Sequence, residues 1–319
     1  MNICVTGCLG FIGYNIINSL SKKKNINILG IDNLDNSIYP LKEKKEKLKN
    51  LKIKPNFKFF KIDISNLNQL DIFYKKNKIF YTINLAGQAS VRNSLHDYNK
   101  FIKDNVLGYN NIISLCHKYD SKLIYASTSA VYNSKLNKYP NSIKESNYRP
   151  QSIYGLSKYM NELTSDIYYQ EYGFKSLGLR FFTVYGDYPR TDMAIFKFID
   201  GIFNSKKIKL YNFGNYYRDF VHMDLINECI DKIIFKKMYD HRVYNLGDTN
   251  SIKLTTLIKK LEKIIGKKAL ISLEPPLIDE PKRTKADMSD TNIFFKGFNQ
   301  KSIDEGLKQT VQWYKKNYL

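Results

Sequence analysis

Short runs of consecutive apolar residues alternate with amphipathic segments through the first half of this 319-residue chain. Consecutive apolar positions are typical of strands buried on both faces, and apolar positions at helical spacing between them predict crossover helices. The predicted strands are residues 3–5, 26–31, 57–62, 79–85, 122–127 and 175–181, and the clearest helices are residues 11–22 and 99–119. This alternation predicts an α/β fold built on a doubly wound parallel sheet.

The alternation loosens after residue 181, where prolines punctuate a region of mixed short strands and helices. No glycine- or serine-rich linker separates the two parts of the chain. We therefore expect a nucleotide-binding domain over residues 1–180 and a smaller mixed α/β substrate domain over residues 181–319, with room for segments that return to the first domain.

A glycine-rich loop joins the first predicted strand to the first helix. Gly7, Gly10 and Gly13 have G-x-x-G-x-x-G spacing, which lets the backbone turn tightly and approach a pyrophosphate. The amides at the start of the helix, Phe11 and Ile12, would then bind that anion. Tight turns also select glycine, so the loop alone is a weak signal. Its place between a strand and a helix predicts a Rossmann-type dinucleotide site.

Asp32 ends the second predicted strand. An acid at this place hydrogen-bonds the 2′-hydroxyl of a ribose and repels a 2′-phosphate, so it predicts NAD rather than NADP. The alternative is that Asp32 only begins the turn into Asn33. Further candidates for cofactor binding follow the carboxyl ends of the strands, where ligands bind in open α/β sheets: Asn33, Asp63, Ile64, Leu85, Ala86 and Gly87.

The strongest chemical signal is the pair Tyr154 and Lys158, which share one face of a predicted helix. A phenol is a poor base at neutral pH, and a neighbouring ammonium favours the phenolate. The fifth strand delivers the hydroxyls of Ser127, Thr128 and Ser129 to its carboxyl end, where one could meet a substrate oxygen. Tyr–Lys pairs also arise by chance, but the order of loop, acid, hydroxyls and pair predicts a hydride-transfer site.

Lys+Arg 51 against Asp+Glu 30 gives a formal net charge of +21. The basic residues are mostly lysines scattered over the chain, so we predict solvated faces rather than nucleic-acid binding, and an exposed helix over the charged run at residues 42–49. No apolar run approaches the length of a membrane span, no leader is recognised, and four cysteines fit reduced thiols, which predicts a cytoplasmic protein. The histidines have no metal-ligand spacing, so no metal is expected.

The motifs together resemble the extended short-chain dehydrogenase/reductase family. Within it the chain is similar to the NAD-dependent nucleotide-sugar 4-epimerases, and most of all to the UDP-glucuronate 4-epimerases. The resemblance covers essentially the whole chain and is carried by four segments: NLAGQASVR (residues 84–92), YASTSAVY (125–132), RFFTVYG continuing to RTDMA (180–194) and RDFVHMD (218–224).

The resemblance implies specific roles. Thr128 would be the hydroxyl partner, Tyr154 the base and Lys158 its activator; NAD would also meet Asn105 and Ser127. The residues implied on the substrate side are Arg92, Thr128, Ser129, Thr183, Arg190, Met193, Arg218 and Glu280. Arg218 would bind the UDP diphosphate, although a salt bridge to Asp219 or Asp224 is the alternative, and Glu280 would contact the uridine ribose.

Ala130 and Thr183 distinguish the reactions of this family. Dehydratases and decarboxylases resemble sequences with an acid where this chain has Ala130, and a threonine at position 183 resembles the uronate enzymes. The expected function is 4-epimerisation of UDP-glucuronate to UDP-galacturonate for cell-surface polysaccharide precursors, by a homodimer. The alternatives are a UDP-N-acetylglucosamine or UDP-glucose 4-epimerase, a UDP-glucuronate decarboxylase, or a non-catalytic NAD sensor.

Overall fold

The chain forms two compact units. A computed structural model describes residues 1–91, 94, 97–132, 139–144, 148–277 and 280–319. The first unit comprises Met1–Tyr132, Tyr148–Arg180 and Ile230–Tyr244, and the second contains Phe181–Cys229, Asn245–Leu319 and residues 139–144. A single boundary after residue 180 therefore does not separate the units: residues 139–144 belong to the second unit, and Ile230–Tyr244 belongs to the first. Ile230–Tyr244 joins the first unit because it leads into the last strand of the sheet.

A seven-stranded sheet forms the first unit, in the order β3-β2-β1-β4-β5-β6-β10. Its strands are β1 (Asn2–Thr6), β2 (Asn27–Asp32), β3 (Phe57–Lys61), β4 (Ile79–Asn84), β5 (Lys122–Thr128), β6 (Ser176–Phe181) and β10 (Arg242–Leu246). All pairings from β3 to β5 are parallel. The chain order reverses on either side of β1, which creates the crevice where doubly wound sheets bind ligands. The predicted fold class is confirmed.

Helices connect these strands. They are α1 (Phe11–Leu20), α2 (Leu41–Lys52), α3 (Leu67–Lys76), α4 (Tyr98–Phe101), α5 (Gly108–Lys118), α6 (Ile153–Tyr172) and α8 (Met223–Phe235). The helix predicted over residues 99–119 is interrupted by a π-helical segment, Ile102–Leu107. Such a segment inserts wider turns into a helix and often accompanies a functional site, which apolar periodicity does not reveal.

The second unit contains two small sheets and a helical layer. β9 (Tyr217–His222) lies between β7 (Thr183–Tyr185) and β11 (Ser251–Lys253), and β8 (Ile208–Leu210) pairs with β12 (Ile271–Leu273). The helices are α7 (Ala194–Phe203), α9 (Leu254–Ile265), α10 (Ser289–Phe295) and α11 (Ile303–Tyr318). The apolar faces of α7, α9 and α11 form a core with β7, β8 and β9. Among the described residues no helix has the length and hydropathy of a membrane span.

The charged run at residues 42–49 does not form the fully exposed helix that its composition predicts. It lies in α2, where Lys44 and Lys47 are buried and each is only 7% exposed. Their ammonium groups are accommodated by an acid and by aromatic rings: Lys44 bonds Asp32, and Lys47 lies over the ring of Tyr39. The sequence pattern misses this because it does not show which face of α2 packs on the sheet.

Candidate active site

The loop after β1 has no room for side chains at two of its glycines. Gly7 has φ +63°, and a Cβ there would lie 2.9 Å from the backbone of Ala86. A Cβ on Gly13 would lie 2.4 Å from the carbonyl oxygen of Gly7. The glycines thus let the β1 loop, the start of α1 and the β4 loop approach one another. This close packing fits a site in which backbone surrounds a bound pyrophosphate.

The N-terminus of α1 faces this loop without a capping side chain at Gly10. One of its amides is engaged by the protein: Phe11 N donates to the hydroxyl oxygen of Tyr39 over 2.8 Å. The amides of a first helical turn and the helix dipole favour an anion. Binding of a pyrophosphate by the amides of Phe11 and Ile12 stays a prediction. Tyr39 is a residue that the sequence did not single out, because tyrosines are abundant in this chain.

Two acids lie at the carboxyl ends of β2 and β3. Asp32 accepts hydrogen bonds from Leu9 N at 3.2 Å and from Lys44 Nζ at 2.9 Å. Asp63 accepts a bond of 3.2 Å from the amide of Asn33. Burial raises the pKa of Asp63, but bonds from Ser65 and Asn33 outweigh burial and lower it overall. Both carboxyls lie at the edge of the sheet where the sequence predicts contacts with a ribose and a base.

The β4 loop is fixed on two sides. The hydroxyl of Thr6 accepts from the amides of Leu85 and Ala86, each over 3.1 Å. On the other side, the Asn105 side chain bonds the backbone of Gln88 in both directions, at 2.7 and 3.0 Å. A Cβ on Gly87 would meet Asn105 Oδ1 at 2.5 Å. Asn105 belongs to the π-helical segment, and its contacts here support the loop.

The same side chain links this loop to the helix that carries the predicted base. Asn105 Nδ2 also donates to Ser157 Oγ over 2.9 Å. Ile64, another predicted cofactor contact, is buried against Gly108, where a Cβ would lie 2.6 Å from its side chain. Asn105 and Ile64 therefore contact neighbouring segments of the protein, a role that their sequence positions do not distinguish from ligand contact.

The predicted catalytic residues converge where α6 begins beside the end of β5. Thr128 ends β5, and its hydroxyl accepts from Ala130 N over 3.2 Å. Ser152 caps α6 by accepting from Gly155 N over 3.0 Å. A Cβ on Gly155 would lie only 2.4 Å from the carbonyl oxygen of Ala130. The first turn of α6, with Tyr154, is thus packed directly on the turn that follows Thr128.

Two features of α6 favour the phenolate of Tyr154. The tyrosine lies in the first turn of a 20-residue helix, where the dipole is positive. Lys158, one turn further on, is 5% exposed, and burial lowers the pKa of its ammonium to about 8. A positive charge held in a poorly solvated site interacts strongly with a neighbouring anion. The arrangement suits proton abstraction by Tyr154 near neutral pH.

A buried ion pair between Glu162 and Arg180 joins α6 to β6. The sequence patterns did not predict it. Glu162 lies one turn beyond Lys158 and accepts from Arg180 Nε and Nη2 at 2.8 and 2.7 Å. Ser127, a predicted cofactor contact, donates its hydroxyl to Glu162. The Arg180 guanidinium also lies over the ring of Tyr148, 4.4 Å from its centre. This cluster joins β5, β6 and α6, and so fixes the position of Thr128 relative to Tyr154.

The second unit holds most of the residues predicted for the substrate. Thr183 and Met193 line one small cavity. Arg190 Nη2 bonds Asp192 at 2.6 Å, so its charge is locally compensated.

Arg218 forms a salt bridge, but not with the partners that the sequence suggested. Its Nη2 lies 2.8 Å from Glu280 Oε1, rather than bonding Asp219 or Asp224. Asp219 instead accepts from the backbone amides of Asp248 and Ala286, at 2.6 and 2.8 Å. The two residues predicted to meet the diphosphate and the ribose, Arg218 and Glu280, are therefore brought together.

Ser129 and Arg92 are the remaining residues predicted to contact the substrate. Ser129 is half-buried in the 3₁₀ turn after Thr128. Arg92 lies outside the described residues. Within the described part of the chain, no group of three or more His, Cys, Asp or Glu side chains is placed to hold a metal ion.

Comparisons with known proteins agree with this geometry. Residues 3–247 match the NAD dependent epimerase/dehydratase family. An uncharacterised protein of Methanocaldococcus jannaschii is 39% identical over 99% of this chain and 97% of its own length. A UDP-glucuronate 4-epimerase of Thermodesulfobacterium geofontis is 36% identical over 98% of this chain and 96% of its own. The crystal structure of the Bacillus cereus UDP-glucuronic acid 4-epimerase with UDP-glucuronic acid and NAD has a TM-score of 0.90 at 28% identity, covering both chains completely.

The glycine loop, the doubly wound sheet and the Tyr154–Lys158 helix define an NAD-dependent enzyme of the short-chain dehydrogenase/reductase type. The chain belongs to the NAD dependent epimerase/dehydratase family. The predicted family, the predicted enzyme class and NAD as the cofactor are thereby confirmed.

The burial of Lys158 predicts that the site is maintained at a cost in stability. Because its pKa falls from 10.5 to about 8 on folding, the unfolded chain binds more protons between these values. The penalty is complete below pH 8 and shrinks as the pH rises toward 10.5. Replacing Lys158 by Met should therefore abolish activity yet raise the free energy of unfolding at pH 7 by about 1–3 kcal/mol.

Thermal and urea unfolding of the cofactor-free protein at pH 7 and pH 10 measure this effect. Lys75→Met, at an exposed position in α3, is the matched control and should change stability little at either pH. Equal stability of wild type and Lys158→Met at pH 7 would contradict a buried ammonium.

The contact of Gly155 with Ala130 predicts a second effect. The Cβ of Gly155→Ala would force the start of α6 away from the turn after β5 and displace Tyr154 from Thr128. Since misplacement by about 1 Å can cost roughly 100-fold in rate, we expect kcat to fall by about 10- to 100-fold. Gly173→Ala, at the far end of α6 with open space around the new Cβ, should reduce stability but not kcat. An unchanged kcat in Gly155→Ala would show that this contact does not set the catalytic geometry.

Proposed function

We propose that this protein is a UDP-glucuronate 4-epimerase that interconverts UDP-glucuronate and UDP-galacturonate. The observation that carries the proposal is the packing of the first turn of α6, which contains Tyr154, on the turn that follows Thr128 and contains Ala130. The relatives from Thermodesulfobacterium geofontis and Bacillus cereus, which bear this activity in their names, support the same substrate.

In the proposed mechanism the protein moves one proton at one hydroxyl. Tyr154, as phenolate, takes the proton of the sugar 4-hydroxyl, and Thr128 supplies a hydrogen bond to that oxygen. Lys158 stabilises the phenolate by its charge. Bound at the glycine loop after β1, NAD would supply the acceptor for the C4 hydride and the same hydride for the opposite face of C4. Tyr154 then returns its proton to the new 4-hydroxyl.

Ala130 favours epimerisation over the other reactions of the family. Its methyl group has no proton to give, and its carbonyl oxygen packs against Gly155. Elimination of water would need an additional acid or base at the sugar, and loss of CO₂ would leave an enolate that needs a proton donor. Epimerisation needs no acid or base other than Tyr154, so the lack of an acid at position 130 does not hinder it.

The carboxylate of the substrate must be held so that the 4-keto intermediate does not lose CO₂. Loss of CO₂ requires the bond to the carboxylate to stand perpendicular to the ketone plane, and fixed donors can prevent this. The hydroxyls of Thr128, Ser129 and Thr183 are the proposed donors. Because Asp192 compensates the charge of Arg190, a neutral UDP-hexose is the second candidate substrate.

Incubation of the purified protein with UDP-glucuronate, without added cofactor, tests the proposal. We expect conversion to an isomer of identical mass and galacto configuration, in a ratio near one, with NAD recovered from the denatured protein. Chromatography with mass analysis measures both. Loss of CO₂ would make the protein a decarboxylase, and conversion of UDP-glucose or UDP-N-acetylglucosamine alone would favour the second candidate. No reaction with any of these sugars after NAD is supplied would favour a non-catalytic NAD sensor.

Thr183→Val is the matched variant for the same assay, since it removes one hydroxyl and keeps the shape of the side chain. We expect more pentose product relative to hexuronate. An unchanged product ratio would exclude Thr183 from holding the carboxylate.

We also propose that the protein works as a homodimer. Leu156, Met160, Leu163 and Ile167 form an apolar stripe along α6, and each is between 36% and 56% exposed. Their spacing of four, three and four residues places them on one helix face. An apolar stripe of this kind on the surface is typical of a subunit interface. A second copy of α6 would cover it.

Light scattering after size exclusion should give the mass of a dimer for the wild type and of a monomer for Leu163→Glu. Ile293→Glu, which also changes an exposed isoleucine but lies in the second unit, should remain dimeric. A monomeric wild type would overturn the proposal.

We place the reaction in the cytoplasm. All four cysteines are buried and form no disulfide. Free buried thiols are typical of proteins from reducing compartments.

A further inference from the structure

Asp32, the acid predicted to recognise a ribose, is paired with a lysine. Its carboxylate accepts from the backbone amides of Leu9 and Leu34, at 3.2 and 2.9 Å. Its third bond, of 2.9 Å, comes from the ammonium of Lys44. A ribose 2′-hydroxyl needs only a carboxylate at this place, whereas a 2′-phosphate needs a cation. The chain supplies both.

The pair is almost completely covered: the side chains of Lys44 and Asp32 are 8% and 4% exposed. Buried charges are retained in proteins only when they are paired, because an isolated one loses its hydration without compensation. Lys44 therefore depends on Asp32 for its charge balance. Without the Asp32 carboxylate, the buried ammonium of Lys44 would be unpaired and would favour the binding of another anion.

A second buried cation lies one turn further along α2. Lys47 is 7% exposed, and its Nζ has no hydrogen-bond partner among the described residues. It lies over the rings of Tyr39 and Tyr14, 4.6 and 5.8 Å from their centres. Burial lowers its pKa to about 8, while the charges of Glu43 and, to a smaller extent, Asp32 act in the opposite direction. The ammonium of Lys44 adds to the lowering, so the two lysines lie close enough to act on one another.

We propose that Lys44, supported by the charge of Lys47, is a recognition group for a ribose 2′-phosphate, and that Asp32 occupies it as an internal counter-ion. Selection of NAD over NADP then depends on whether the Asp32 carboxylate or the 2′-phosphate pairs with the ammonium of Lys44. The proposal rests on NAD binding by the glycine loop, as in the proposed function. It assigns to α2 a role in coenzyme choice that its sequence, a run of alternating charges, does not suggest.

Asp32→Asn tests this, because it removes the charge while keeping the shape of the side chain. We expect NAD to bind about 10-fold more weakly and NADP at least 10-fold more tightly than to the wild type, measured by calorimetry on nucleotide-free protein. Adenosine 2′,5′-bisphosphate and 5′-AMP probe the adenosine end alone. The bisphosphate should raise the melting temperature of Asp32→Asn more than 5′-AMP does.

The double variant Asp32→Asn/Lys44→Met is the decisive control and should lose the gain in NADP and bisphosphate binding. Asp32→Ser, with a smaller side chain, serves if the asparagine variant does not fold. Unchanged relative affinities in the single variant, or a gain that survives loss of Lys44, would overturn the proposal. In either case NAD binding and epimerisation by the wild type would leave the proposed function intact, whereas its failure to bind NAD would contradict that function separately.

Discussion

The site depends on the pairing of β1 with two parallel neighbours. Because β1 lies between β2 and β4, the loops that follow β1 and β4 lie side by side at the point where the strand order reverses, which is where doubly wound sheets bind ligands. Gly7 and Ala86 approach so closely there that no side chain fits between them. Thr6 secures the approach by accepting both amides of the β4 loop. The cofactor loop is therefore a consequence of strand order.

The reacting groups are organised by a different constraint, the packing of α6 on the end of β5. Gly155 brings the first turn of α6 against the Ala130 carbonyl, and the Glu162–Arg180 pair holds the same helix to β5 and β6. Buried ion pairs often contribute little net stability, but their removal leaves an unpaired charge. Here the pair has a geometric consequence, since it joins the three elements that position Thr128, Tyr154 and Lys158.

Burial of charge is the common physical theme of the first unit. Arg180 and Lys44 are paired with carboxylates, whereas Lys158 is buried at the reaction centre and Lys47 among aromatic rings. A cation without full hydration acts strongly on an anion placed beside it, which is an advantage at a phenolate. The same low polarity makes each such lysine unfavourable for folding. The site thus combines functional charge with a local loss of stability.

Much of the architecture was predictable from short-range patterns. The apolar runs gave each of the first six strands to within one or two residues, and the glycine loop, Asp32 and the Tyr154–Lys158 spacing pointed to the cofactor and the base. The predictions that went wrong or stayed incomplete concern long-range contacts: Lys44 on Asp32, Glu280 on Arg218, Tyr39 on the α1 amide and the interruption of the helix near Asn105.

The order of strands and helices and the chemical groups at their ends follow from short sequence patterns, because periodicity and loop glycines act over a few residues. Which charges are buried, and what they bond, depends on the packing of distant segments. Those choices depend on which helix face packs on the sheet and on residues as far apart as Ser127 and Glu162, or Arg218 and Glu280. Packing brings such groups within hydrogen-bond distance, and patterns in the local sequence do not predict which distant residues will meet.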